Sequence, residues 1–198
     1  MVNCTRLESV TVFGPRVRIP SPPQILSQPE THLSLRDAKI KTMKVRSATE
    51  SDKSAVLELL DEFRSDCIEQ ITGKPAESQT AREGGAEIFE KLLSDSDYCI
   101  LLLTDSDSKI VGIITGYLCP MLRSGEVRAE VEEFFVKKNS RGHDNAKMLM
   151  DVFFSWCQSK KVTKVNLESD NELSRAHNFY SKYGFETNAT RFIKKLEY

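Results

Sequence analysis

The sequence predicts an α/β domain: a mixed, mostly antiparallel central sheet with helices on both faces. Three observations lead there. Hydrophobic periodicity alternates between two and three-to-four residues, giving the order β-α-α-β-β-β-α-β-α-β. Two adjacent apolar runs, YCILLLT and KIVGIITGYLC, flank the polar Asp105-Ser106-Asp107-Ser108 stretch, which reads as a hairpin. Further on, a strand, a helix and a second strand follow in sequence, a unit that lays its two strands parallel.

Each element has its own signal. Residues 44–48, KVRSA, form a short first strand. Ser51 or Asp52 caps a helix whose apolar residues Val56, Leu59, Leu60, Phe63 and Cys67 recur every three or four positions. Gly73-Lys74-Pro75 stops it. Residues 81–93 form a weaker helix, softened at Gly84-Gly85. After the hairpin strands at 98–104 and 109–119, EVRAEVEEFFV at 126–136 is a half-polar alternating strand. A loop, SRGHDNA, precedes a helix with an apolar stripe at Ala146, Leu149, Met150, Phe153 and Cys157. A strand at 164–169 leads to a helix at 173–183 stopped by Gly184, and TRFIKKLEY at 190–198 reads as a last strand.

The totals narrow the function classes. The chain has 198 residues and a formal net charge of −1, so it lacks the basic excess of a nucleic-acid binder. Its longest apolar runs are too short to span a bilayer. Five cysteines without a C-x-x-C pair read as reduced thiols in a cytoplasmic protein. Three histidines without ligand-like spacing point away from a metal site. Residues 1–42 hold most of the prolines, including IPSPPQ, and show no sustained period. They read as disordered, or as translation from a start assigned too far upstream. VRIP at 17–20 is what the T-arm of many transfer-RNA genes would encode, and Met43 opens a natural-looking strand and helix. The domain is therefore placed at 43–198, long enough to bury about 70% of its unfolded surface.

The loop after the half-polar strand carries the functional signal. Open α/β sheets bind ligands beyond the carboxyl ends of their strands, and a helix N-terminus offers unpaired N–H groups to a phosphate. Arg141 supplies fixed charge, Gly142 admits close backbone approach, and Ala146 is small. An ordinary turn with Asp144 or Asn145 as N-cap is the other reading of the same residues. Asp144 stands out. At about 7 Å and an effective dielectric near 20, its carboxylate repels each phosphate charge by about 2 kcal/mol.

In company with its neighbours, this loop resembles the pyrophosphate loop of the GNAT superfamily of N-acetyltransferases, Arg/Gln-x-x-Gly-x-Gly/Ala. Arg141 and Ala146 match the first and last positions, and Asp144 replaces the middle glycine. RAHNFYSKYGF at 175–185 resembles the family's A-x-x-F-Y-x-x-x-G-F segment at Ala176, Phe179, Tyr180, Gly184 and Phe185. The resemblance implies a parallel strand pair that splays to seat acetyl-coenzyme A, its co-substrate, with no metal. It implies cofactor contacts from Phe134, Phe135 and Val136 and from the loop residues Arg141, Gly142, His143, Asp144, Asn145 and Ala146.

It also implies acetyl transfer to a primary amine of a small molecule or peptide, by direct attack. Such chemistry needs a base for the ammonium and a donor for the leaving thiolate. The family's general-acid tyrosine maps onto Tyr180. Glu130 and Glu132 are the candidate bases; strict alternation puts both on one face and Glu133 on the other. Glu132 ranks first. His177, one turn before Tyr180, reaches the same cleft or sits half-buried at the surface. Lys160-Lys161 is a solvated turn or a contact for the cofactor's 3′-phosphate. A non-catalytic acyl-coenzyme A sensor with the same fold is the alternative function. Neither nucleic acid nor membrane is expected as a partner, and homodimerisation is left open.

Overall fold

The computed structural model describes residues 42–76 and 82–196. The readings of residues 1–41 lie outside the described residues. Strand β1 (Lys44–Ser47) leads through a 3-10 turn into α1 (Lys53–Thr72), and α2 (Arg82–Leu93) follows. Strands β2 (Tyr98–Thr104), β3 (Ile110–Met121) and β4 (Glu126–Val136) come next, then α3 (Asn145–Ser159), β5 (Lys164–Leu167) and α4 (Ser174–Lys182). The sheet runs β1-β2-β3-β4-β5, antiparallel except for the parallel β4–β5 pair. This is the α/β fold with a mixed, mostly antiparallel sheet that the element order predicts.

Side-chain alternation divides the core between the two sheet faces. Leu101, Leu103, Ile114, Ala129, Val131 and Val136 meet Leu149, Met150, Phe153 and Cys157 of α3 on one face. Ile100, Leu102, Ile113 and Phe135 meet Val56 and Leu59 of α1 and Phe89 of α2 on the other. Leu59, Leu102, Ile113 and Phe153 are fully buried, each worth about 1.5–3 kcal/mol of transfer free energy. Gly116 permits the closest packing: a Cβ there would lie 2.4 Å from the Glu130 carbonyl and 2.7 Å from the Phe153 ring.

Local details follow the sequence with one substantial exception. Gly73 and Gly184 end α1 and α4 in left-handed conformation, at φ of 68° and 91°. The second helix runs unbroken through Gly84-Gly85. Asp52 anchors the turn before α1 rather than capping the helix itself. Its carboxylate accepts 2.8 Å hydrogen bonds from the Thr49 N–H and hydroxyl and 2.7 Å bonds from both terminal nitrogens of Arg46. The expected last strand does not form. Residues 190–196 carry no strand structure, and Phe192 and Leu196 are 92% and 63% exposed. Lys194 separates those two on the same would-be face, too little apolar area to fix a register. Arg191 forms an ion pair with Glu168 instead, and β5 stays at the sheet edge.

Candidate active site

The site begins at an irregularity in β4. Ile114 pairs with Phe134 and Gly116 with Val131, so Thr115 alone opposes both Glu132 and Glu133. Two residues facing one is a β-bulge, a device that re-aims side chains and adds twist. The Glu133 N–H donates to Thr115 Oγ1 at 3.0 Å, which holds the bulge. On the other edge, β4 pairs with β5 only as far as Val131 and Leu167. Strand β4 continues to Val136 without that partner, so the parallel pair splays and frees one backbone edge of β4.

A cavity of about 500 Å³ lies in this splay. Val131, Phe134, Phe135 and Val136 of β4 form one wall, Leu167 to Asp170 another, and Ala176, Phe179 and Tyr180 of α4 a third. Phe63, Asp66 and Cys67 of α1 close it on the fourth side. The β4–α3 loop stands at its rim through Arg141, Gly142, Asp144, Asn145 and Ala146.

The loop is built from three successive left-handed residues, Gly142, His143 and Asp144, at φ of 91°, 48° and 60°. Only glycine adopts that conformation without strain; aspartate and asparagine tolerate it. The Asp144 carboxylate makes no capping hydrogen bond. The Asn145 side chain donates to the Ser140 carbonyl at 2.8 Å, and its N–H to the Gly142 carbonyl at 3.1 Å, pinning the loop from beneath. Among the described residues, the amides of Gly142, His143, Asp144, Ala146 and Lys147 have no backbone partner, the usual state of a helix start. They form a set of donors suited to a diphosphate.

Several candidate residues are placed differently from expectation. The Arg141 guanidinium turns away from the rim: Nε donates to the Val136 carbonyl at 2.8 Å and the terminal nitrogen to Asp66, with the group stacked over Phe135 at 5.5 Å. Its charge is thereby directed to α1; of the other cations on the cavity lining, Lys147 pairs with Asp151 at 2.6 Å, and Arg175 is the second. His143 is exposed and off the lining. Glu130 does not line this cavity and pairs with Arg128 at 3.3 Å on its own strand. His177 also lies off the lining, and Lys160 donates to the Ser96 carbonyl at 2.8 Å.

Tyr180 and Glu132 both reach the cavity. Tyr180 packs against Phe134, Phe179 and Phe185 with ring centroids 5.8–6.3 Å apart. The helix end beneath it is fixed by the Phe185 N–H, which donates to the Tyr180 carbonyl at 3.0 Å. Burial pushes the Tyr180 hydroxyl up to about 12, with Cys67 adding to the effect. Glu133 was expected on the opposite face. The bulge brings it to the α1–α2 side, where burial and the Glu132 charge push its carboxyl up to about 7. The polar-apolar alternation of β4 breaks after Glu132, where Glu133 adjoins it and Phe134, Phe135 and Val136 follow as an apolar run.

Among the described residues no His, Cys, Asp or Glu cluster is arranged to hold a metal, and no helix is long and apolar enough to cross a membrane. Comparison with curated proteins finds no significant match. Solved structures share the fold. An aminoglycoside acetyltransferase, meta-AAC0020 from an uncultured soil metagenomic sample, has a TM-score of 0.62 and 20% identity over 78% of this chain and 97% of its own. The ribosomal-protein-alanine N-acetyltransferase of Brucella melitensis biovar Abortus 2308 gives 0.61 and 17% over 78% and 99%. A Trypanosoma brucei acetyltransferase gives 0.57 and 22% over 78% and 100%. The sequence profile of the Acetyltransferase (GNAT) family matches residues 57–185, which span the bulge, the splay, the loop and Tyr180. By that match over most of its length, the chain belongs to the GNAT family of acetyltransferases.

Proposed function

We propose that this protein transfers the acetyl group of acetyl-coenzyme A to a primary amine by direct attack. The observation that carries this reading is the cavity between the splayed strands, with unpaired loop amides at its rim and Tyr180 on its wall. When bound, acetyl-coenzyme A supplies an acyl group already activated as a thioester. The residues present fit such a ligand: the amides of 142–144, 146 and 147 for a diphosphate, Arg175 for further phosphate charge, and the apolar wall formed by Phe134 and Phe179 for the pantetheine arm.

The chain's own groups divide the proton work. The freed edge of β4 offers backbone N–H groups to a carbonyl oxygen gaining charge. Tyr180, pushed up to about 12, stays protonated throughout the neutral range. Full proton transfer from it to a thiolate of ordinary pKa near 8.5 runs uphill by about 5 kcal/mol. The hydroxyl therefore acts chiefly as a hydrogen-bond donor to the sulfur as charge develops there. The carboxylates of the bulge are the bases within reach of an incoming ammonium. The buried free thiols of Cys99 and Cys157 suit a reducing compartment, which supports a cytoplasmic location.

The test is steady-state kinetics on an amine panel with mass detection, run on the parent and on Tyr180→Phe. The variant keeps the ring and its packing, so coenzyme A affinity and melting temperature stay near parental values. Its kcat falls by roughly tenfold to a thousandfold, the mark of a contact made mainly in the transition state. Turnover by Tyr180→Phe equal to the parent's removes Tyr180 from the mechanism. Tight coenzyme A binding with no amine acetylated favours the sensor reading, which the Asp144 carboxylate at the loop also fits.

A further inference from the structure

The face of the sheet beneath α1 and α2 is covered over part of its width. Val56, Leu59 and Phe89 of the two helices pack on Ile100, Leu102, Ile113 and Phe135. Toward the start of β4 the same face is half-buried or exposed. Ala129, Val131, Val165 and Leu167 point to the α3 face, so alternation turns Arg128 and Glu130 of β4 and Lys164 and Asn166 of β5 the other way. The register sets them in two rows, Arg128 beside Lys164 and Glu130 beside Asn166. Tyr117 lies opposite Glu130 and stacks on Tyr98, with ring centroids 6.1 Å apart. Together they form a ledge. It leads from the exposed Glu132, on the lining of the splay cavity, to a pair of cations.

Those cations are not matched within the chain. Like charges on facing positions of neighbouring strands repel, yet Arg128 and Lys164 stand in register. Among the described residues Lys164 has no ion-pair or hydrogen-bond partner. Arg128 has Glu130 as its ion-pair partner, at 3.3 Å, but the contact leaves the buried Arg128 Nε and Glu130 Oε2 without a hydrogen bond. Two positive charges against one carboxylate leave one over, which suits a monoanion. A guanidinium takes a carboxylate through two parallel hydrogen bonds, so a carboxylate is the anion this pair fits.

We infer that Arg128 and Lys164 bind the carboxylate of the acceptor, a peptide of three or four residues whose N-terminal amine reaches the splay cavity. The inference rests on the acetyl-transfer reading above and names its substrate class. Arg128 and Glu132 are separated by about 13 Å along the strand, at roughly 3.3 Å per residue. An extended tri- or tetrapeptide spans that length. The tyrosine pair lies between the two ends and gives the peptide's side chains an apolar floor. A polyamine is repelled by the cations, and an amino sugar gains nothing from them.

Calorimetric titration of the full-length protein with tetraalanine and with tetraalanine amide tests this without turnover, since the two differ in the C-terminal charge alone. We expect the acid to bind roughly tenfold or more tighter. Arg128→Gln removes that preference, Lys164→Gln reduces it, and Arg128→Lys, which keeps the charge but not the fork, retains part of it. Alanine and alaninamide, too short to span the ledge, bind alike. Equal affinity for the two tetrapeptides, no binding of either, a preference unchanged in Arg128→Gln, or the same preference for alanine over its amide overturns the inference. Turnover with acetyl-coenzyme A, followed by mass, separates the two readings. Tetraalanine bound with the expected preference yet never acetylated sinks the transfer reading alone. Both tetrapeptides acetylated with equal kcat/KM sinks this one alone.

Discussion

Asp144 sits at φ 60° where the family's loop pattern has glycine, and the structure shows both why a glycine suits and how an aspartate survives. Left-handed backbone costs most side chains roughly 1–2 kcal/mol, and aspartate is among the few that visit it routinely. Its carboxylate takes none of the loop's amides, so it leaves the donors free and affects phosphate through charge alone. Asp144→Gly and Asp144→Asn are both expected to tighten coenzyme A binding, by up to about 2 kcal/mol. Asparagine tolerates the same backbone and removes only the charge, so it should retain most of the gain. Calorimetry at low and high salt checks this, since screening shrinks the difference. Weaker binding by both variants would show that the carboxylate organises the loop. At this scale the sequence was informative about Asp144 and Tyr180, because both lie in local motifs. The direction of Arg141 was not legible, because its partner Asp66 lies 75 positions away in sequence.

Helix α1 does more than cover the sheet. Glu62, Asp66 and Glu69 stand on successive turns and meet Lys137, Arg141 and Lys138 of the segment following β4. The helix thereby holds the loop whose unpaired amides stand at the cavity rim. Asp66 is the centre, with its side chain 5% exposed and that of Arg141 18%. Burial alone would raise the Asp66 carboxyl, but Arg141 and Lys138 outweigh it and hold the carboxyl below its ordinary value. Removing one partner of a buried pair strands the other, at about 3 kcal/mol or more. Asp66→Asn should therefore lower stability by about that much at neutral pH, and loosen coenzyme A binding through the loop. A depressed carboxyl contributes stability above its unfolded pKa and loses it as pH falls through the folded value. The variant's deficit should accordingly shrink below about pH 3.9, as urea unfolding at several pH values will show. The helices and strands themselves were legible from periodicity. The bulge was not, because alternation gives the face of each side chain only while the ladder stays regular, and one extra residue moved Glu133 to the α1–α2 side.

Across the whole molecule, the bulge in β4 puts Glu132 on the lining of the splay cavity and Glu133 on that of a second cavity, of about 310 Å³, under α1 and α2, and burying Glu133 there has a cost in stability. The order of elements, the mixed sheet and the covered faces could be read from the sequence because each rests on local patterns. The second cavity could not, since it depends on how α1 and α2 stand over the sheet; the unformed last strand shows the converse, a weak local pattern without a partner to fix it. Glu133 is where cost and function meet. Burial and the neighbouring Glu132 push its carboxyl up to about 7, above its unfolded value near 4.3. A carboxyl raised on folding is better tolerated protonated: its contribution is fully present below the unfolded pKa and is lost as pH rises through the folded one. Glu133→Gln keeps the shape and removes the charge. It should leave stability nearly unchanged at about pH 4 and raise it above about pH 7, by up to roughly 3–4 kcal/mol. Melting curves of parent and variant across that range provide the check. In parallel, kcat/KM of the variant should fall near neutral pH and recover part of the loss at high pH, where the amine is already neutral. A variant that is more stable above neutrality yet poorer in turnover is the signature of strain kept for function. Equal melting temperatures at every pH would mean that Glu133 is solvated as an ordinary surface carboxylate, and its place as the base would go with that.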